Sequence, residues 1–76
     1  MTPRQKQVLE FILAYIKWKG HAPSYANIAE GLQMKSRSNM HKIVHKLEEE
    51  GLIYIKPRKF RSMRVPDKTI RQVINL

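Results

Sequence analysis

The chain has no cysteine, so it carries no disulfide framework, no thiol nucleophile and no Cys-ligated zinc, and its core must hold by packing alone. Acidic residues are scarce: 6 Asp and Glu stand against 15 Lys and Arg, a formal net charge of +9. A long apolar run is also missing. The longest apolar-rich stretch, Val8 to Trp18, is interrupted by Glu10 and Lys17 and is too short to span a bilayer, and Met1-Thr2-Pro3 is not the start of a signal peptide. These absences point to a soluble, cytoplasmic protein. At 76 residues there is room for one core and little for a deep pocket with its supporting shell. The expectation is a single domain, not an enzyme, with no cofactor and no metal.

A strong positive charge calls for a polyanionic partner, nucleic acid first and an anionic membrane surface second. Its distribution is uneven. Residues 1–50 carry 8 basic and 5 acidic side chains, whereas residues 51–76 carry 7 basic and 1 acidic, so the C-terminal third holds +6 of the +9. That third is expected to touch the polyanion.

Thr2-Pro3-Arg4-Gln5 combines a capping hydroxyl, a proline at the first helical position and a Gln able to close a capping box, so a helix starts here. Val8, Leu9, Ile12 and Ile16 follow a 3.6-residue period, widened by Phe11, Leu13, Tyr15 and Trp18, and Gly20 supplies a stop. The aromatics are expected in the core rather than stacked on bases. His21-Ala22-Pro23 reads as an extended link, and Ser24 caps a second helix from Tyr25 to Leu32 that buries Ile28, Ala29 and Leu32. A short turn over Gln33-Met34-Lys35 leads to Ser36, which caps a third helix running to about Glu50 and stopped by Gly51.

Two helices joined by a tight turn after a longer one is a helix-turn-helix arrangement. Beyond Gly51, Leu52-Ile53-Tyr54-Ile55 favours strand, a basic loop follows, and Met63-Arg64-Val65 alternates before Pro66, which reads as a hairpin. The predicted fold is mainly α with a small β-hairpin, a three-helix winged helix-turn-helix over residues 1–66. Residues 67–76 form a tail whose Asp67 can cap a short amphipathic helix presenting Ile70, Val73 and Ile74.

Helical angles divide the third helix. Met40, Ile43, Val44 and Leu47 share the side that must face the first two helices, while Ser38, Lys42 and His45 lie opposite, flanked by Asn39, His41 and Lys46. Short hydroxyls and amides at the N-terminal end, with cationic or hydrogen-bonding groups behind, are what a helix needs where it enters a major groove. Lys42 can donate to guanine O6 or N7, Asn39 can contact adenine with both amide atoms, and a His can donate or accept according to tautomer. The plainer alternative is a solvated polar face. Ser24, Tyr25 and Asn27 open the second helix, where backbone N–H groups could hold a phosphate, as at any helix start. In the wing, Lys56, Arg58, Lys59, Arg61 and Arg64 have only basic company and suit a duplex backbone, although a charged hairpin also protects a sheet edge.

Other chemistry fits less well. His41 and His45 at i, i+4 are half a metal site without a third ligand, and Ser, His and Glu without a Gly-rich elbow do not make a triad. Glu48-Glu49-Glu50 reads as a solvated run facing away from DNA.

With these residues in view, the chain resembles the N-terminal DNA-binding domain of the LexA repressor family. The similarity runs from Thr2 to about Val65 and includes Thr2-Pro3-Arg4-Gln5, Gly20-His21-Ala22-Pro23-Ser24, Ile28-Ala29-Glu30 with Leu32, Ser36-Arg37-Ser38-Asn39-Met40-His41-Lys42 and Leu47-Glu48-Glu49-Glu50-Gly51-Leu52-Ile53. The resemblance implies a winged helix-turn-helix that binds operator DNA and represses transcription, in the family's case within the SOS response. Ser36, Ser38, Asn39 and His41 match positions that family members use to read bases. Taken with the residues above, the expected base-reading set is Ser36, Arg37, Ser38, Asn39, His41, Lys42 and His45, and the expected backbone set is Ser24, Tyr25, Asn27, Lys46, Lys56, Arg58, Lys59, Arg61 and Arg64. Lys42 stands where some members carry an acid, so the operator is not transferable.

Family members continue into a self-cleaving, dimerising domain, which the sequence to Leu76 does not contain. The chain is therefore read either as an excised domain or as a stand-alone regulator, located with the nucleoid. The expected partner is double-stranded DNA and no membrane. The protein is expected to be a monomer in dilute solution and paired on a palindromic operator, with the tail as the candidate pairing surface. A protein-interaction module docking on another regulator is the alternative, and a steep fall of affinity with salt separates the two.

Overall fold

A computed structural model describes residues 2–55 and 63–74, and at Arg37 and residues 72–74 it describes the backbone. Four helices are present among them: α1 (Pro3–Lys19), α2 (Tyr25–Gly31), α3 (Arg37–Glu49) and α4 (Asp67–Ile74). The first begins as expected. The Thr2 hydroxyl accepts from the Gln5 N–H at 3.1 Å and the Gln5 side chain returns the contact to the Thr2 N–H at 3.0 Å, with Pro3 needing no partner. Gly20 ends α1 at φ +78°, a left-handed conformation that strains any side-chain-bearing residue, and its N–H reaches the Ile16 carbonyl.

Each of the first three helices turns its apolar residues inward. Val8, Leu9 and Ile12 of α1, Ile28 and Ala29 of α2 and Met40, Val44 and Leu47 of α3 are buried together, joined by Ala22, Ile53 and Met63. Burying a side chain of Leu, Ile or Met size contributes roughly 1.5–3 kcal/mol. Helix α3 packs on both α1 and α2 and is the central element. At the α1–α2 crossing Gly31 does more than precede a helix end: a Cβ there would run into the Phe11 ring, so the lack of a side chain lets the two helices close.

Trp18 departs from expectation. It is 83% exposed, while Phe11, Leu13 and Tyr15 are half-buried. Residue 18 is on the last turn of α1 and is left uncovered there, so helical period alone misplaces it in the core.

After α3 the chain turns through Gly51 at φ +75°. Tyr54 and Arg64 then form an antiparallel bridge, the Tyr54 N–H donating to the Arg64 carbonyl at 2.8 Å and the Arg64 N–H to the Tyr54 carbonyl at 2.7 Å. This bridge is the whole of the β-structure among the described residues, and the basic loop expected between its two arms lies outside them. The fold is thus mainly helical.

The tail forms α4, which packs against α1. Asp67 is its first helical residue rather than its cap: the N–H groups of Thr69 and Ile70 donate to the Pro66 carbonyl, which puts Pro66 at the boundary. Asp67 still favours the positive helix end by its charge. Thr69, not part of the expected apolar stripe, is fully buried, and its Oγ1 has no hydrogen-bond partner among the described residues.

Candidate nucleic-acid interface

Helix α3 separates cleanly into two faces. Met40, Val44 and Leu47 are fully buried and Ile43 packs against them, whereas Ser38, Asn39, His41, Lys42, His45 and Lys46 are exposed. One face is fixed by the core, so the other is held rigidly in the direction the core dictates. Ser36 caps the helix, its Oγ accepting from the Asn39 N–H at 3.2 Å. The hydroxyl hydrogen remains able to donate outward.

The sequence offers a capping pattern at three helix starts: Thr2-x-x-Gln5, Ser24-x-x-Asn27 and Ser36-x-x-Asn39. At α1 and α2 the box closes in both directions. Asn27 Oδ1 accepts from the Ser24 N–H at 3.0 Å and from the Ser24 hydroxyl at 2.9 Å, while the Ser24 Oγ accepts from the Asn27 N–H. The Tyr15 hydroxyl adds a longer contact to the same Oδ1 at 3.4 Å. At α3 only the hydroxyl half forms, and the Asn39 carboxamide has no partner among the described residues. An exposed amide with both its donor and its acceptor unengaged, on the first turn of the exposed face, is a ready two-point contact for a base edge.

The starts of α2 and α3 meet through aromatic contact. Tyr25 and His41 lie with ring centroids 4.2 Å apart, edge to face at 60°. Tyr25, His41, Lys42, His45 and Glu48 line a shallow open depression beside the exposed face of α3. Burial pushes the Tyr25 phenol above its ordinary pKa, and the Glu48 carboxylate adds to the shift. Glu48 therefore does not face away with its neighbours: Glu49 and Glu50 are exposed, but Glu48 is half-buried and its Oε1 sits 3.9 Å from His45 Nδ1. The i, i+3 spacing puts the two on one side of the helix, an ion pair when the imidazole is protonated.

The expected residues thus fall into groups. Ser38, Asn39, Lys42 and Lys46 are exposed, His41 and His45 engage Tyr25 and Glu48, and Ser24, Asn27 and Ser36 already serve caps. Arg37 opens α3. Arg64 is exposed beside the bridge, while Lys56, Arg58, Lys59 and Arg61 lie outside the described residues. The sequence reading missed the reciprocal box at Ser24 and Asn27, although the spacing that revealed the one at Thr2 is repeated there. Among the described residues no group of three His, Asp or Glu side chains converges as a metal site, and no helix is long and apolar enough to cross a membrane.

Comparison with known proteins matches residues 1–62 to the model of the LexA DNA binding domain. The chain is 37% identical over 65 residues to the LexA repressor of Exiguobacterium sibiricum, a match covering 86% of this chain and 32% of the relative. It is 37% identical to the LexA repressor of Caldicellulosiruptor saccharolyticus and 35% identical to that of Bacillus subtilis, in each case over 100% of this chain and 39% of the relative. The chain therefore spans about a third of the length of the curated relatives it matches. With the family model covering most of its residues and relatives more than 30% identical along it, the chain belongs to the LexA DNA-binding domain family.

Proposed function

We propose that the protein is a sequence-specific double-stranded DNA-binding transcriptional repressor whose base readout is made by α3. The observation that carries this reading is the start of α3, where Ser38, Asn39 and Lys42 are exposed opposite a fully buried Met40, Val44 and Leu47, and the Asn39 carboxamide is unengaged among the described residues. Ser36, Arg37, His41 and His45 complete the base-reading set. Lys46, Arg64 and the basic segment containing Lys56, Arg58, Lys59 and Arg61 supply phosphate contact, supported by the charge excess of the C-terminal third. Ser24, Tyr25 and Asn27 at the start of α2 belong to the backbone-contacting set too, where the cap and the contact of Tyr25 with His41 hold them. One copy covers a half-site, with two placed on a palindrome.

The test is a selection of bound sequences from a random duplex pool, followed by the triple substitution Ser38→Ala, Asn39→Ala and Lys42→Ala. These side chains are exposed, so the fold should persist. Each lost base contact should cost about 1–3 kcal/mol of discrimination. Full sequence preference in the triple variant would place readout elsewhere.

A further inference from the structure

The exposed Trp18 has no role in the core and none in the base-reading face. It sits between Lys17 and Lys19 at the end of α1, and Lys17, Trp18, Lys19 and His21 are all exposed. From Phe11 to Ala29 the sequence contains no Asp or Glu. Successive residues on a helix step by 100°, so the two lysines flank the indole on either side. Lysines in a last turn complement the helix dipole, and here they also place two cations on either side of an indole that is 83% exposed.

One residue of this elbow, His21, is linked to the start of α2. The His21 ring packs edge-on against Tyr15 at 5.6 Å between centroids, and the Tyr15 hydroxyl reaches the Asn27 side chain that closes the α2 cap. His21 Nδ1 lies 3.1 Å from the Ala22 carbonyl, which fixes the ring beside the start of the link to α2. Tyr25, next to the cap, contacts His41 of α3. Side-chain contacts thus run from His21 through Tyr15 to the α2 cap, and the residue that follows that cap's serine, Tyr25, touches α3.

We infer that the α1–α2 elbow, Lys17, Trp18, Lys19 and His21, is an additional contact to the sugar-phosphate backbone of duplex DNA, flanking the bases read by α3. The lysines neutralise phosphates and the indole covers the deoxyribose between them. The occupant is assigned as DNA rather than protein by charge: Lys17 and Lys19 flank the indole within a stretch, Phe11 to Ala29, that contains no acid, which suits a polyanion. This inference rests on the proposed function, and the experiment separates the two.

Trp18 is the sole tryptophan, so its fluorescence reports on this surface directly. Acrylamide quenching is measured for the free protein, for the protein on a duplex ending at the selected half-site, and for the protein on the same half-site with a helical turn of flanking DNA. In parallel, binding to the longer duplex is titrated against salt for the wild type and for the Lys17→Gln, Lys19→Gln double variant, whose exposed substitutions spare the core. The longer duplex should protect the indole where the trimmed one does not, and the variant should lose about 1.8 from the slope of log K against log salt, or 0.9 for each phosphate contact. Equal quenching on both duplexes, or an unchanged slope, with operator binding intact, overturns the elbow contact and leaves the α3 reading standing. Protection that grows with protein concentration in the absence of DNA assigns the indole to a second copy and overturns it as well. Failure of the wild type to bind any duplex removes both proposals.

Discussion

Helices α2 and α3 are built on nearly the same local plan. Each starts at a serine cap followed by an Asn three residues later, and each ends with paired bonds that reach back from the turn: Met34 N–H to Ala29 and Gln33 N–H to Glu30 in α2, Leu52 N–H to Leu47 and Gly51 N–H to Glu48 in α3. They differ in what the local chemistry is used for. In α2 the Asn is committed to its own cap, and in α3 it is not. Where α3 turns out through a glycine, α2 turns out through Gln33, a side-chain-bearing residue at φ +54°. The short helix is tied down at its start and strained at its end, and the long one is relaxed at its end and left open at its start. With Met40, Val44 and Leu47 buried, α3 can leave its first turn uncommitted because the core, rather than the cap, fixes it.

The largest effect should come from exchanging these two asparagines' fates. Asn39→Ala is expected to weaken operator binding by about 1–3 kcal/mol with little change in thermal stability, since the Ser36 cap bond uses the backbone of residue 39. Asn27→Ala should do the reverse, lowering stability by about 1 kcal/mol through the lost return bond while sequence preference is kept. Denaturant titration and competition binding on both variants measure this. If the two variants behave alike, the distinction between a structural and a recognition amide collapses.

Next in size is the contrast between the two helix ends. Gln33→Gly should stabilise the protein by roughly 1 kcal/mol, because glycine removes the left-handed penalty at that φ and gives back part of the gain in chain entropy. Gly51→Ala should destabilise for the opposite reason. Urea midpoints at constant m-value are the readout, and a destabilised Gln33→Gly variant would mean that the glutamine side chain contributes something beyond its backbone.

How much of this was legible beforehand follows from the range of the interactions concerned. Caps at Thr2, Ser24 and Ser36 and stops at Gly20 and Gly51 are decided within four residues, and the sequence states them directly. The buried faces of α1 and α3 follow from helical period because those helices pack along their length. Period fails at helix ends: it counts Trp18 with the core, where no neighbour reaches, and it cannot see that Thr69 is buried, because that depends on α4 docking against α1. The candidate site divides in the same way. Its polar face was readable from spacing, but which polar groups are engaged elsewhere was not. Tyr25 against His41 and Glu48 against His45 depend on how α2 and α3 sit together and on rotamers.

The contact between the two helix starts also has a consequence for pH. Burial first, and the Glu48 carboxylate second, raise the Tyr25 pKa above the ordinary 10.0. A raised folded-state value means that the fold favours the neutral phenol. The stabilisation associated with it is fully present below the ordinary tyrosine value and is lost as pH climbs through the higher folded-state value. Lysines also titrate in this range, so the wild type alone does not isolate the effect. Tyr25→Phe keeps the ring against His41 and removes the titration. The difference in stability between wild type and Tyr25→Phe should therefore be constant at neutral and mildly alkaline pH and shift against the wild type above the ordinary tyrosine value. Of the changes considered, this should be the smallest, since Tyr25 is only partly buried. A difference that stays flat through the alkaline range would show that the phenol is as well solvated in the folded protein as in the unfolded chain, and that the starts of α2 and α3 touch less closely than the ring geometry implies.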